Sequence, residues 1–306
     1  MKLKKIILCL TSLVLVILLA SCQTNEGTDI ESDSTDSSSS NNGQNGGNSG
    51  TSQANASLVF SGMECEISDT SAIIHEGKIY KIVKPGTYTV SGTLDDGQIQ
   101  VEVEKTESVT LVLDNFTGSC SDSAVIYIKS ADKIDIDLQN DSVNTLTDAS
   151  VYVFPDPTTD KPNACLYSSD DLTIKGGGSL IVNANYNNGI GCKNDVEIKN
   201  GKVTVSAVNN AVKGNDSVTV CGDAEVVIEA ADDGLKADTI DRPDKGFVKV
   251  TENAKVTVSC TDDAIQATQN VTVTSGATVT IKSASQAVNC DGTVNVDNGC
   301  IVNQTP

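Results

Sequence analysis

From about residue 187 the chain alternates apolar and polar positions in short blocks, and the blocks recur. Asn187-Asn188-Gly189-Ile190 opens one unit. Asn209-Asn210-Ala211-Val212, Asp232-Asp233-Gly234-Leu235, Asp262-Asp263-Ala264-Ile265 and Ser285-Gln286-Ala287-Val288 open the next four, at spacings of 22, 23, 30 and 23 residues. Each unit then carries two alternating segments. Val196/Ile198 matches Val218/Val220, Val248/Val250, Val271/Val273 and Val294/Val296. Val203/Val205 matches Val226/Ile228, Val256/Val258 and Val279/Ile281. A period of two marks strands, and turns such as Asn200-Gly201 and Asn298-Gly299 separate them. Three short strands in a period near 22 predict an all-β fold, a right-handed single-stranded parallel β-helix over residues 57–306. A β-sandwich would need no such fixed register between successive strands.

Weaker copies run upstream. Ala124–Ile136 resembles Asn163–Ile174, and Gly86–Gly92 and Val109–Leu113 read as strand pieces. About ten or eleven rungs at the ordinary strand spacing make a rod roughly 50 Å long. The longer 30-residue unit holds an insertion around Asp238–Gly246. Small residues share columns: Gly189 with Ala211, Gly234, Ala264 and Ala287, and Cys192 with Gly214, Ala237, Ala267 and Cys290. These are the predicted tight corners of a narrow interior.

The pattern changes completely at the N-terminus. Lys2, Lys4 and Lys5 precede an apolar run, Ile6 to Leu19, and then Leu19-Ala20-Ser21-Cys22. This is a secretory signal, residues 1–21, and its end is similar to a lipoprotein box with Cys22 as the lipidated residue. Residues 22–56 form a linker, in which 23 of the 34 residues from 23 to 56 are Ser, Asn, Gly or Thr. Such a segment buries no core and holds the folded part away from a membrane. The expected location is the extracellular face of a membrane, contacted through the lipid alone.

Composition narrows the chemistry. The 306 residues carry a formal charge of −20, and removal of the signal leaves 18 basic against 41 acidic residues. That surface repels nucleic acid and anionic lipid and attracts cations. One His, His75, and one Arg, Arg242, leave little for His-based catalysis or Arg-clamped phosphate chemistry. Aromatic residues are 3% of the chain, with no Trp. Eight Cys remain after the signal and Cys22 are set aside, with no CxxC motif. Cys192 and Cys290 stand four rungs apart, roughly 19 Å, which is too far to bridge. Cys260 shares a small-residue column with Ala207, Ala230 and Ser283. Buried free thiols are expected.

The strongest chemical constellation is Asp232-Asp233 above Asp262-Asp263 in one column, with Asn209-Asn210 beneath and Asp238 in the insertion. Carboxylates stacked about 5 Å apart repel, and either take protons or bind a cation. Ca²⁺, which takes six to eight oxygen ligands, is the natural occupant. Aspartates favoured at turns for their own sake remain the simpler alternative. The loop Val151–Asn163 holds half of the six prolines together with Tyr152 and Phe154. With Tyr167 and Tyr186 it reads either as a lip on which sugars stack or as a rigid surface loop. Arg242 lies between Asp241 and Pro243-Asp244, where a local salt bridge is expected.

The segments GTYTVSGTLDDGQIQVEV, VTLVLDNFTG and AVIYIKSADKIDI, the glycine-rich unit near Gly176–Gly178 and the repeated Asp-Asp-Gly units resemble a clostridial family over roughly residues 60–303. That family comprises cell-surface lipoproteins with a β-helix similar to pectate lyases, which bind calcium and carbohydrate, including cellulose and acidic pectic sugars. The resemblance implies a non-catalytic, calcium-dependent protein whose partner is plant cell-wall polysaccharide, acidic or cellulosic. Asn-Asn stands in two rungs where the family commonly has Asp-Asp, which implies fewer calcium ions at that end. Three alternatives stay open. One is a pectate lyase using calcium and Arg242 as base. Another is a hydrolase with paired aspartates. The last is a structural adhesin.

Overall fold

The computed structural model describes residues 54–154, 161–274 and 276–304. The signal, Cys22, most of the linker and Pro155 and Pro157 lie outside the described residues. Among the described residues every regular element is a β-strand.

Three strands per coil are seen where the repeat is clearest: Asn188–Cys192, Asp195–Ile198 and Lys202–Ala207. Each pairs in parallel with its counterpart one coil later. Ile190 lies opposite Val212, Val196 opposite Val218, and Val203 and Val205 opposite Val226 and Ile228. The matched columns of the sequence are thus the hydrogen-bonded ladders of a parallel, solenoid-like sheet. The first-strand column runs from Ile79–Ile82 to Asn289–Cys290, and the other two columns join in one 18-stranded sheet.

Alternation explains which side is filled. In Lys202–Ala207, Val203, Val205 and Ala207 are buried while Lys202 and Ser206 face water. Stacked Val, Ile and Leu from all three columns form one continuous core. Each such side chain contributes roughly 1.5–3 kcal/mol on burial, so the core needs no Trp. Corners are tight as expected. A Cβ on Gly234 would lie 2.6 Å from the Ala264 carbonyl oxygen and 2.8 Å from Val258 Cγ1.

Three features depart from the simple repeat. The first described strand, Ala54–Gly62, is not one of the repeated units and pairs in parallel with Gly86–Leu94. Two antiparallel hairpins, Leu58–Ser61 against Glu64–Ile67 and Ile73–Glu76 against Ile79–Ile82, cover the N-terminal end, so pairing there is not purely parallel. The strand Ser108–Ser119 spans two columns. Its first half pairs with Lys133–Leu138 and its end with Thr145–Thr147, and Asn115, at φ 54°, sits at the break.

All eight described cysteines are free. Cys165 is fully buried, and burial holds its thiol well above the ordinary value. Cys192 is pushed up to about 12, chiefly by burial. Cys260 shares its column with Ala207 and Ala230, but a bulge after Val258 sets Ser283 opposite Ser259 instead.

Candidate functional site

The Asx pairs sit where the chain turns into the first column, Asn188 opening its strand and the other pairs lying just ahead of theirs. Their two members separate by burial. Asn188, Asn210, Asp233 and Asp263 are buried, whereas Asn187, Asn209 and Asp232 are half-buried and Asp262 is exposed. The inner members form a ladder tied to the backbone. The Asp233 N–H donates to Asn210 Oδ1 at 3.3 Å, and the Asp263 N–H to Asp233 Oδ1 at 3.0 Å. One carboxylate of each pair therefore stacks over the next, as the spacing predicts.

Carboxylate oxygens of Asp232, Asp233 and Asp262 converge within 4.8 Å of one another. The Asn210 amide faces the same point. With its nitrogen turned inward it donates to both Asp232 Oδ2 and Asp233 Oδ2 at 3.1 Å, in place of accepting from the Asp233 N–H. The Lys236 ammonium donates to Asp233 Oδ2 at 2.7 Å. Asp263 Oδ2 accepts from Asn289 Nδ2 at 2.7 Å, but its Oδ1 is buried with no partner.

Electrostatics follow from this crowding. Burial first, and then the Asp233 charge, push the Asp232 carboxyl above its ordinary range. Burial likewise raises Asp263, and the charges of Asp262 and Asp233 add to it. Burial works against the charge of Lys236, but the hydrogen bond and charge of Asp233 outweigh it and hold the ammonium above its usual value.

Two sequence candidates lie elsewhere in the network. Asp238 Oδ2 pairs with Lys213 at 2.6 Å, and Asn209 Nδ2 donates to Asn187 Oδ1 at 2.6 Å. Arg242 does not use Asp241 or Asp244. It pairs with the buried Asp216 of the preceding coil, which also accepts from Thr239 Oγ1 at 3.1 Å. Lys245 from the same insertion reaches Asp195 at 2.8 Å. The insertion's basic residues thus tie it to the two coils below.

The aromatic candidates form a satellite cluster rather than an open lip. Tyr152 is buried, and its hydroxyl donates to Asp148 Oδ2 at 2.6 Å and lies 3.1 Å from the Ala164 carbonyl. Tyr186 stacks on Tyr152 at 4.0 Å and 14°, and Phe154 meets it edge-on at 6.1 Å. Tyr167 is buried beside Tyr127 at 5.8 Å. Tyr186 and Phe154 remain partly exposed.

Sequence reading passed over a group of lysines. Lys161, Lys193 and Lys213 line one pocket of about 250 Å³ with Tyr167. The signal was present, because pairing sets Tyr167, Gly191 and Lys213 in one outward row. Finding it requires aligning that row, in which the residue types change from coil to coil.

The structure is thus an all-β, solenoid-like stack of parallel strands with polar ladders on its turns. The family model for carbohydrate-binding domain-containing proteins matches residues 76–289, and the chain belongs to this family. A carbohydrate-binding domain-containing protein of Acetivibrio thermocellus is 40% identical over 247 residues, covering 81% of this chain and 85% of the relative. A solved structure of the polysaccharide lyase-like protein from C. thermocellum, a gadolinium derivative, is 43% identical. It superposes with a TM-score of 0.79 over 82% of this chain and 100% of that one.

Proposed function

We propose that this protein is a non-catalytic, calcium-dependent polysaccharide binder held on the outer face of a membrane through Cys22. The observation that carries the calcium reading is the convergence of Asp232, Asp233 and Asp262 oxygens within 4.8 Å. The donor set is all oxygen, as a hard cation requires, and the partnerless Asp263 Oδ1 shows that this ladder is not fully satisfied by protein groups alone. Asp232, Asp233 and Asp262 would hold the ion, and the Asn210 amide would turn its oxygen toward it. Bound calcium would neutralise the ladder and attract a carboxylate-bearing sugar to an otherwise repulsive surface. The coil is read as a right-handed single-stranded β-helix, following the handedness of parallel crossovers.

Acidic, pectin-like polysaccharide is the favoured ligand, with cellulosic glucan second. Without Trp, and with Tyr152 and Tyr167 buried, broad platforms for crystalline cellulose are scarce. The lyase-like name of the structural relative favours one further reading, elimination on a uronate. Arg242 would have to serve as the base there, yet its guanidinium is already engaged by the buried Asp216. Lys236 is held in its charged form by the hydrogen bond and charge of Asp233. The test is sedimentation with insoluble pectate and with cellulose, in calcium and in EDTA. Calcium-dependent retention on pectate without release of unsaturated oligouronides is expected, whereas unsaturated products would establish a lyase.

A further inference from the structure

One outward row of the second column runs Asp195, Ser217, Phe247, Asn270 and Thr293 across paired strands. Phe247 is the one aromatic residue in it. It is half-buried, and it belongs to neither apolar cluster of the described residues. The insertion sets its place. Gly246, at φ 74°, ends the insertion, and a Cβ there would lie 2.6 Å from the Thr239 carbonyl oxygen. The Lys249 ammonium, 4.2 Å from the ring centroid, covers one side of the ring. Phe247 also walls a pocket of about 310 Å³, whose lining includes Asp171, Asp195, Glu197, Ser217 and Thr219. Ser217 stands between Asp195 and Phe247, and Thr219 between Glu197 and Lys249. Both are short, which leaves the hollow. Lys245 holds Asp195 at 2.8 Å, and Lys133, the one lysine on the pocket wall, pairs with Asp135 at 3.4 Å. Asp171 accepts from the Asp195 N–H at a long 3.4 Å, and Glu197 from the Cys221 thiol at 3.7 Å. Both carboxylates therefore keep oxygens for further donors.

We propose that this pocket binds one neutral hexose ring of a polysaccharide, with Phe247 as its stacking wall and Asp171 and Glu197 as acceptors for sugar hydroxyls. A sugar ring has an apolar C–H face and a rim of hydroxyls, which an aromatic ring and ionised carboxylates match in turn. Asp171 and Glu197 also decide which sugar enters. Burial already raises the Asp171 carboxyl, and the Asp195 charge adds to it. A uronate would bring one more negative charge beside these groups, whereas a neutral ring brings none. The volume suits a single ring, at the lower end of the roughly 300–1,000 Å³ of ligand sites. The pocket lies on the strands of the second column, and the Asp ladder at the turn into the first. The two sites thus occupy different faces of the coil, one taking acidic sugar through calcium and the other neutral sugar without it.

This inference rests on the carbohydrate-binding reading but not on calcium, and the experiment separates the two. The whole chain, in detergent and excess EDTA, is titrated calorimetrically with cellotriose, galactotriose, trigalacturonate and the trimer of glucosamine. At least one neutral trisaccharide should bind, with an affinity that does not change as salt is raised. Trigalacturonate should bind far more weakly in EDTA. Phe247→Ser, which matches the paired Ser217, should fold as the wild type does and weaken neutral binding about tenfold. Phe247→Tyr should keep it. Glu197→Gln should weaken it about fivefold or more, the loss of a charged acceptor. Absence of binding by both neutral sugars, binding indifferent to Phe247→Ser and Glu197→Gln, or a preference for the glucosamine trimer that vanishes at high salt would overturn the proposal. If trigalacturonate binds in calcium while neither neutral sugar binds, this pocket falls and the carbohydrate-binding reading stands. If none of the sugars binds with or without calcium, that reading falls as well.

Discussion

Asp232 and Asp263 are carboxyls whose folded state prefers the proton, because burial and neighbouring carboxylates penalise the charge. A raised folded value means that the native state binds more protons than the unfolded chain just above the ordinary carboxylate range. Their stabilising contribution is therefore full below that range and is lost as pH rises through the folded values. In EDTA, thermal melts of Asp232→Asn should lose part of this decline on going toward neutral pH, relative to the wild type. Calcium should raise the wild-type melting temperature, and a hundredfold excess over its dissociation constant corresponds to about 2.7 kcal/mol. A melt insensitive to calcium would remove the site. Tyr152 makes a different kind of prediction. Its hydroxyl donates to Asp148, which burial raises and which also accepts from the Asn185 and Tyr186 backbone N–H groups. Tyr152→Phe should cost about 1–3 kcal/mol in urea unfolding, the penalty for a buried acceptor left short of a donor. At this scale residue identities were legible and side-chain partners were not. Asp238 and Arg242 have several acidic or basic neighbours in sequence, and only the fold selects Lys213 and Asp216.

Strands are where sequence and structure agree best. From residue 187 onward every apolar pair expected to stack is found opposite its counterpart, because inward Val and Ile repeat at the coil length. Irregularities were harder to see. The bulge that moves Ser283 away from Cys260 adds one polar residue, Lys282, to an exposed edge and leaves the alternation before it intact. The N-terminal hairpins turn at Gly62 and Gly77, both at positive φ, but neither repeats, so no column announces them. They shield backbone that a bare end would leave open to pairing. The insertion is an element of its own. Thr239 and Gly246 return to the coil below through hydrogen bonds to the Asn215 and Asp216 carbonyls at 2.9 and 2.6 Å. Arg242→Ala should leave Asp216 buried with Thr239 and Lys245 as its remaining partners, at a cost of about 1–3 kcal/mol. Polysaccharide retention should survive, and hydrogen exchange should quicken in residues 238–246. Loss of retention with unchanged stability would instead give Arg242 a direct part in the site.

The whole molecule combines three properties that no single element shows: a lengthwise stack of rows, a strongly negative surface, and an N-terminal segment read as a lipid-bearing tether. Cys22→Ala should shift the protein from the membrane fraction to the medium, as fractionation would show, and an unmodified N-terminus downstream of Cys22 in membranes would contradict the anchor. The coil architecture was legible because a solenoid repeats its core. The convergence of carboxylates was legible only where chemistry repeats with the coil, in the Asp pairs. The lysine pocket was hidden because Tyr167, Gly191 and Lys213 share a row but not a residue type. The central claim is that calcium on the Asp ladder adds affinity for an acidic polysaccharide that the protein does not cleave. Calorimetric titration of trigalacturonate into the wild type and into an Asp232→Asn/Asp262→Asn double variant, each with calcium and with EDTA, tests it most directly. Calcium should tighten binding to the wild type and leave the variant at its EDTA affinity. Equal wild-type affinities with and without calcium, or a calcium increment that survives in the variant, would contradict it.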